Sequence, residues 1–267
     1  NTPMRSLCRI ITVSNENYEK LVKQGTAGSG WVDELEARPE TGTPTWAALK
    51  PYFGEVYSNP GLTQKSLDDV ALNLEAEIAQ DVGIEFGEQE NDAYTNGTGI
   101  KKPKGILGYT LAATADGSRA FGQIEKLHTA SSGNFVADKM IDLVYKLQRN
   151  YRKNAIWMVA ALSVAAIRKL KDGQNNYLFQ PTFVAGQPQM IMGYPIEEND
   201  DMPVPGADAN AVIFGDLRRA YYIVDVKGTT MLRDPYTNKP KVHFYTTKRT
   251  GGMLVNDRAI KVLRLSA

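Results

Sequence analysis

The chain has 267 residues, 42% of them apolar and 23% charged, with a formal net charge of +1. That is ordinary globular composition, enough for one large domain or two medium ones. Near-neutrality excludes a polyanion binder by bulk charge. The single cysteine excludes an internal disulfide, and no apolar run approaches the roughly 18 residues of a membrane span.

Residues 1 to 8 are polar and turn-like, an arm rather than a core element. Cys8, in "SLCRIITV", reads as a small buried hydrophobe. "CRIITVS" is β-branched and alternating, which predicts a strand that "YEKLVKQGTAGSGW" carries into a Gly/Ser/Thr-rich hinge. "SGWVDELEARPETGTPTW", residues 29 to 46, holds two tryptophans, four carboxylates and two prolines. Alternation puts Trp31, Asp33, Leu35 and Ala37 on one strand face and Val32, Glu34, Glu36 and Arg38 on the other. Neither face is cleanly apolar, so this long hairpin lacks an evident partner in its own core. Its tip is "RPETGTPT" and its return strand "WAALKPYFGEVYSN".

"NPGLTQKSLDD" predicts a turn into a helix, with Ser66 as N-cap. Leu67, Val70, Ala71, Leu74, Ile78, Val82 and Phe86 then recur at helical spacing to about Gln89, over roughly 35 Å. The solvent face of this helix is acidic, with Glu75, Glu77, Asp81, Glu85, Glu88 and Glu90. "NDAYTNGTGIKKPKGIL" ends it in a loop. Residues 108 to 133 give no clear helix or strand signal. "NFVADKMIDLVYKLQRNYR" predicts a second helix, with Phe135, Met140, Ile141, Val144 and Leu147 on one side. "NAIWMVA" predicts a buried strand, and "ALSVAAIRKLKDG" a third helix closed by Gly173. The remainder is strand-rich, giving an α+β class with two sub-domains.

Catalytic chemistry is scarce. The only histidines are His128, in a loop-like stretch, and His243, in a strand, and neither has a marked orienting partner. Zinc needs about four nitrogen or sulfur ligands, and the chain holds two histidines and one cysteine. "GTAGSG" and "NGTGIKKPKG" lack the ending of a phosphate-binding loop, so both read as turns. Asp200 and Asp201 read as a solvated loop without EF-hand spacing. No cofactor is expected. Basic clusters lie at 101 to 104, 146 to 153, 168 to 171 and 258 to 264. Separate acidic and basic stripes on a near-neutral chain suit pairing between copies of itself.

Seven segments, in order, resemble the major capsid proteins of tailed bacteriophages, a fold shared with encapsulin shells and gene-transfer-agent capsids. "EFGEQENDAYTNGTGIKKPKGIL" resembles the family's helix end, glycine turn and following segment. "AIWMVAALSVAAIRKLKDGQNNYLFQP", "GQPQMIMGYPIEENDDMP" and "AVIFGDLRRAYYIVDVKGTTMLRD" with "KRTGGMLVNDRAIKVLRL" resemble its later strands and helix. The resemblance implies an N-terminal arm (1–9), an extended E-loop (28–57), a peripheral domain (10–27, 58–132 and 233–267) and an axial domain (133–232).

It also implies a structural subunit, not an enzyme. Such a subunit forms pentamers and hexamers that tile an icosahedral or elongated shell around packaged double-stranded DNA. Portal and other head proteins are the further partners, with no membrane, and assembly takes place in the bacterial cytoplasm. In the E-loop, Trp31, Leu35, Trp46 and Phe53 would cover a neighbouring copy, while Glu34, Glu36, Arg38 and Glu40 pair across the contact. Lys101, Lys102, Lys104, Arg149, Arg152 and Lys153 are the candidate inner-face DNA contacts. The E-loop tip carries no lysine, and Lys50 lies nearer its base, so assembly is expected to be non-covalent. The start at Asn1 fits removal of a preceding scaffolding segment. A gene-transfer-agent capsid is the alternative and an encapsulin shell the third reading, with a start unlike an encapsulin's cargo-docking helix. A soluble hydrolase, the rival of another class, is opposed by the scarcity of histidine.

Overall fold

The computed structural model describes residues 2–25, 27–65, 74–178 and 190–267. The expected N-cap at Ser66, the helix start at Leu67, Val70 and Ala71, and the stretch 179–189 lie outside the described residues.

A short helix α1 (Pro3–Leu7) precedes strand β1 (Arg9–Val13). A two-stranded ribbon follows, β2 (Lys20–Gln24) against β3 (Thr45–Leu49), then β4 (Tyr52–Ser58) and β5 (Gly61–Thr63). The long helix α2 (Leu74–Asn96) leads through a 3-10 turn at Ile106–Gly108 to β6 (Leu111–Ala112) and β7 (Ile124–His128). Next come α3 (Ala137–Lys146), α4 (Arg149–Arg152), β8 (Ile156–Val159) and α5 (Ala161–Arg168). The chain ends with β9 (Met190–Ile191), β10 (Tyr194–Glu198), β11 (Asn210–Gly215), α6 (Leu217–Ala220), β12 (Tyr221–Asp234), β13 (Lys241–Leu254) and β14 (Ile260–Arg264).

Two larger sheets result. One runs β1-β12-β13-β4, with β5 on the far end of β13. The other runs β6-β7-β14-β11-β8-β10-β9. Their strands are interleaved in sequence: β12 belongs to the first, while β7 and β14 belong to the second. At the centre of the second sheet β8, β11 and β14 are buried on both faces, so period-2 alternation sorts their side chains into two cores. Trp157, Val159, Val212, Phe214 and Leu263 face α3 and α5. Met158, Ile213 and Val262 face the other way, joining Tyr94, Tyr221, Ile223 and Leu254 at the seam between the sheets. The Trp157 ring sits 4.3 Å from that of Phe214, and its indole N–H donates to the Ile191 carbonyl at 3.1 Å. Burying a side chain of that size contributes about 3 kcal/mol.

Several sequence expectations are corrected. Residues 3–7 are not a loose arm: Met4 is fully buried, and its backbone N–H donates to Asn91 Oδ1 at 3.2 Å. The long helix passes Gln89 and runs to Asn96, because Tyr94 and Thr95 are buried in the core. Glu90 is not on the solvent face; it is buried between Arg5 and Lys248. In α3 the buried stripe takes Leu143 in place of Ile141, which is exposed. His128 ends a strand instead of lying in a loop, and α5 stops at Arg168, short of Gly173. Cys8 is buried, as its apolar flank implies.

The turn after α2 shows why glycine is needed there. A Cβ on Gly97 would meet the Pro103 carbonyl oxygen at 2.1 Å and the Ala93 carbonyl oxygen at 2.2 Å. Gly105 N–H donates to the Gly97 carbonyl at 2.9 Å, locking the loop closed.

Candidate assembly surface

The extended loop grows from the β2-β3 ribbon, whose register pairs Lys20 with Leu49 and Gln24 with Thr45. This base lies earlier than residue 28, because "EKLVKQ" is a strand of its own that pairs with "TWAAL". A third apolar cluster fixes the ribbon to the five-stranded sheet: Val22 and Leu49 pack with Tyr222, Val224, Met253 and Val255. Lys20 Nζ lies 4.4 Å from the Tyr222 ring centroid. Arg9 lies 5.3 Å from that centroid.

Beyond the ribbon every residue from 27 to 43 is exposed. Trp31 and Leu35 are exposed to 103% and 98%, as bare as in an open chain. The expected strand over 29–38 does not form. Its place is taken by a local turn in which Glu36 N–H donates to the Asp33 carbonyl at 3.2 Å. Asp33 N–H returns a bond to Glu36 Oε2 at 3.1 Å, and Gly28 N–H donates to the Gly42 carbonyl at 3.0 Å. With no strand alongside, local bonds take over, including an Asx-type one from Glu34 N–H to Asp33 Oδ1 at 2.8 Å. Glu34, Arg38 and Glu40 are exposed on the same loop. Trp46 stands on β3 and is 63% exposed. Phe53 is placed differently: it lies in β4, with its ring over Gly251 of its own chain.

The predicted basic residues fall into separate groups. Lys102 pairs loosely with Asp92 at 3.7 Å, and Lys104 Nζ sits 4.5 Å from the Tyr109 ring centroid, so both close the α2 end. Lys101 beside them is exposed. Arg149, Arg152 and Lys153 line one cleft at α4. Sequence reasoning missed Arg9, Arg218 and Arg219 and gave no contact role to Arg258 of the 258 to 264 cluster; all four line adjoining clefts. Arg9, the adjacent Arg218 and Arg219, and Arg258 lie far apart along the chain, and only the fold gathers them.

Two buried ionic networks were also missed. Arg5 reaches Glu90 Oε2 at 2.7 Å and Asp225, and Lys248 pairs with the same Glu90. Burial disfavours the Arg5 cation, but the Asp225 hydrogen bond and the Glu90 charge outweigh it and raise its pKa. Around Lys261, fully buried in β14, Asp116 and Glu125 each approach to 2.6 Å. Arg119 lies 2.8 Å from Asp116, and Lys146 lies 3.1 Å from Glu125. The hint was a lysine inside the apolar run "AIKVLRL". These groups hold elements together. Among the described residues no cluster of three His, Cys, Asp or Glu is arranged to hold a metal ion. No helix among them is long and apolar enough to cross a membrane.

The Phage capsid family matches residues 1–265. A solved structure described as the capsid of a native GTA (gene transfer agent) particle, computed with C5 symmetry, is 34% identical with a TM-score of 0.92. The alignment covers 99% of this chain and 90% of that one. A solved structure described as Mycobacterium phage Cain is 14% identical at a TM-score of 0.68, over 100% of this chain and 90% of the other. The mature capsid of bacteriophage PhiM1 is 13% identical at 0.66, over 99% and 87%; at these identities the likeness is one of fold. No curated protein matches the chain. A family match that spans residues 1–265, with a capsid 34% identical over nearly the whole chain, shows that the chain belongs to the phage capsid family.

Proposed function

We propose that this capsid protein works as a tile whose exposed loop is completed by neighbouring copies, in pentamers and hexamers that close a shell around double-stranded DNA. The observation that carries this reading is the exposure of residues 27–43, with Trp31 and Leu35 held away from their own core. An exposed loop with bare apolar side chains gains order when another surface covers it. Trp31, Leu35 and Trp46 supply the apolar contact, with the exposed edge of Phe53, while Glu34, Glu36, Arg38 and Glu40 supply charge. The five-stranded sheet with α2 serves as the peripheral part, and the seven-stranded sheet with α3 and α5 as the axial part. That moves 221–232 to the former, and 111–112, 124–128 and 260–264 to the latter, relative to the sequence-based boundaries.

The role is structural and not enzymatic, in a particle head assembled in the bacterial cytoplasm with portal and other head proteins. Lys101, Lys102 and Lys104 are inner-face candidates for phosphate contact. The 34% identity to a GTA capsid, against 14% to the Mycobacterium phage Cain structure, favours a gene-transfer-agent particle over a phage head. Replacing residues 28–42 with a short Gly-Ser linker tests the loop's role. The variant should unfold cooperatively yet form no large particles in sedimentation and negative-stain microscopy; normal shells from it would refute the reading. Sequencing the enclosed DNA separates random host fragments from a single viral genome.

A further inference from the structure

Three clefts near β2, α6 and α4 are walled by basic side chains. The first, of 620 Å³, lies beside β2 and carries Lys23, Arg219 and Arg258 on its walls. A second, of 730 Å³, shares Arg219 and Tyr222 with it and adds Arg9 and Arg218. The third, of 680 Å³, is lined by Arg149, Arg152 and Lys153. It joins the others through α4: Tyr151 lines the first cleft, and Arg219 donates to the Asn150 carbonyl at 3.5 Å. Apart from half-buried Arg152 and buried Arg119, the cations of these walls are exposed. The carboxylates among the linings, Asp216 and Asp257, are both buried. In the third cleft Arg152 Nε finds no acceptor among the described residues.

The opposite charge stands on another element. Glu77, Asp81, Glu85 and Glu88 of α2 are exposed, and none of them forms an ion pair among the described residues. At about 100° per residue their spacing confines them to a stripe roughly 80° wide and about 17 Å long. Glu75, which lies off this stripe, is the one that pairs with Arg233, at 3.0 Å.

We propose that the cationic clefts of one copy receive the acidic α2 stripe of the next. The two surfaces are different patches of one chain, so the contact is heterologous and, where the rotation closes, it generates a ring. Charge complementarity of this kind sets register and rejects wrong partners more than it adds affinity. The near-neutral whole chain favours a second copy over DNA as the occupant, since DNA in the clefts would leave the acidic stripe unmatched. This inference rests on the self-assembly reading above and adds which two surfaces meet.

Charge reversal tests it in the full chain. Arg218→Glu with Lys153→Glu reverses two exposed cations, and Asp81→Lys with Glu88→Lys reverses two exposed acids. Each pair should melt cooperatively by circular dichroism, yet lower the assembled fraction in sedimentation about tenfold. All four changes together restore complementarity and should recover assembly. Normal assembly of both reversed pairs, or no recovery in the fourfold variant, overturns the proposal. So do normal shells with reduced nucleic acid from the Arg218/Lys153 variant, which would assign the clefts to DNA. Should a reversal prevent folding, Arg218→Gln with Lys153→Gln must still lower assembly, and unchanged assembly there also overturns it. Wild-type chain that forms no particles refutes the self-assembly reading itself, before any variant is made.

Discussion

Arg5 Nη1 donates to Glu90 Oε2 at 2.7 Å, tying the first helix to the long helix 85 residues away. The same guanidinium grips Asp225 on β12, so one side chain pins three elements. Arg5→Gln should cost about 2–3 kcal/mol, the range for hydrogen bonds to charged groups, since Lys248 still neutralises Glu90. Urea unfolding gives the magnitude. Faster amide exchange over residues 3–8, with little change in β8 and β11, would place the loss at the clasp.

Asp225 makes that clasp sensitive to acid. Burial pushes its carboxyl pKa up, but the Arg5 hydrogen bond and charge, with Thr250, hold it below the ordinary 3.8. A folded-state pKa below the unfolded one adds stability that is present above the unfolded value and lost as pH falls through the folded one. Wild-type stability should therefore drop as pH falls from about 4. Asp225→Asn should be weaker at pH 7 and flatter across this acid window. Equal slopes for both proteins would contradict the assignment.

Lys261 is the larger liability. It is fully buried, with Asp116 and Glu125 each at 2.6 Å. Removing one partner of a buried ionic group costs about 3–5 kcal/mol, because the other charges stay buried and less compensated. Lys261→Met should lose that much by chemical denaturation, despite being more apolar. Stability at or above wild type would show that Arg119 and Lys146 neutralise the site without it.

Assembly should be non-covalent. The loop from 27 to 44 holds no lysine, and Lys50 pairs at its base with Glu19 at 2.8 Å. Particles boiled in SDS should run as one band near 29.5 kDa. A ladder of multimers would mean a covalent bond between copies.

The sequence by itself determined the local and repetitive features. Helical spacing over "LEAEIAQDVGIEF" fixed α2, β-branched alternation fixed β1, and the half-apolar "SGWVDELEARPETGTPTW" marked the loop that its own core leaves bare. Those signals are short-range and need only the periods of helix and strand. The ordered run of motifs also carried the family. Only the tertiary structure decided what depends on distant pairing. Glu90 reads as one more acid on a solvent face until Arg5 and Lys248 close over it. The leading residues read as a tail until Met4 fills the seam between the sheets. Arg9, Arg149 and Arg218 lie far apart in sequence, and folding alone sets them on the walls of cationic clefts. Periodicity reports which face of an element is apolar; which element meets that face is a long-range choice made by packing.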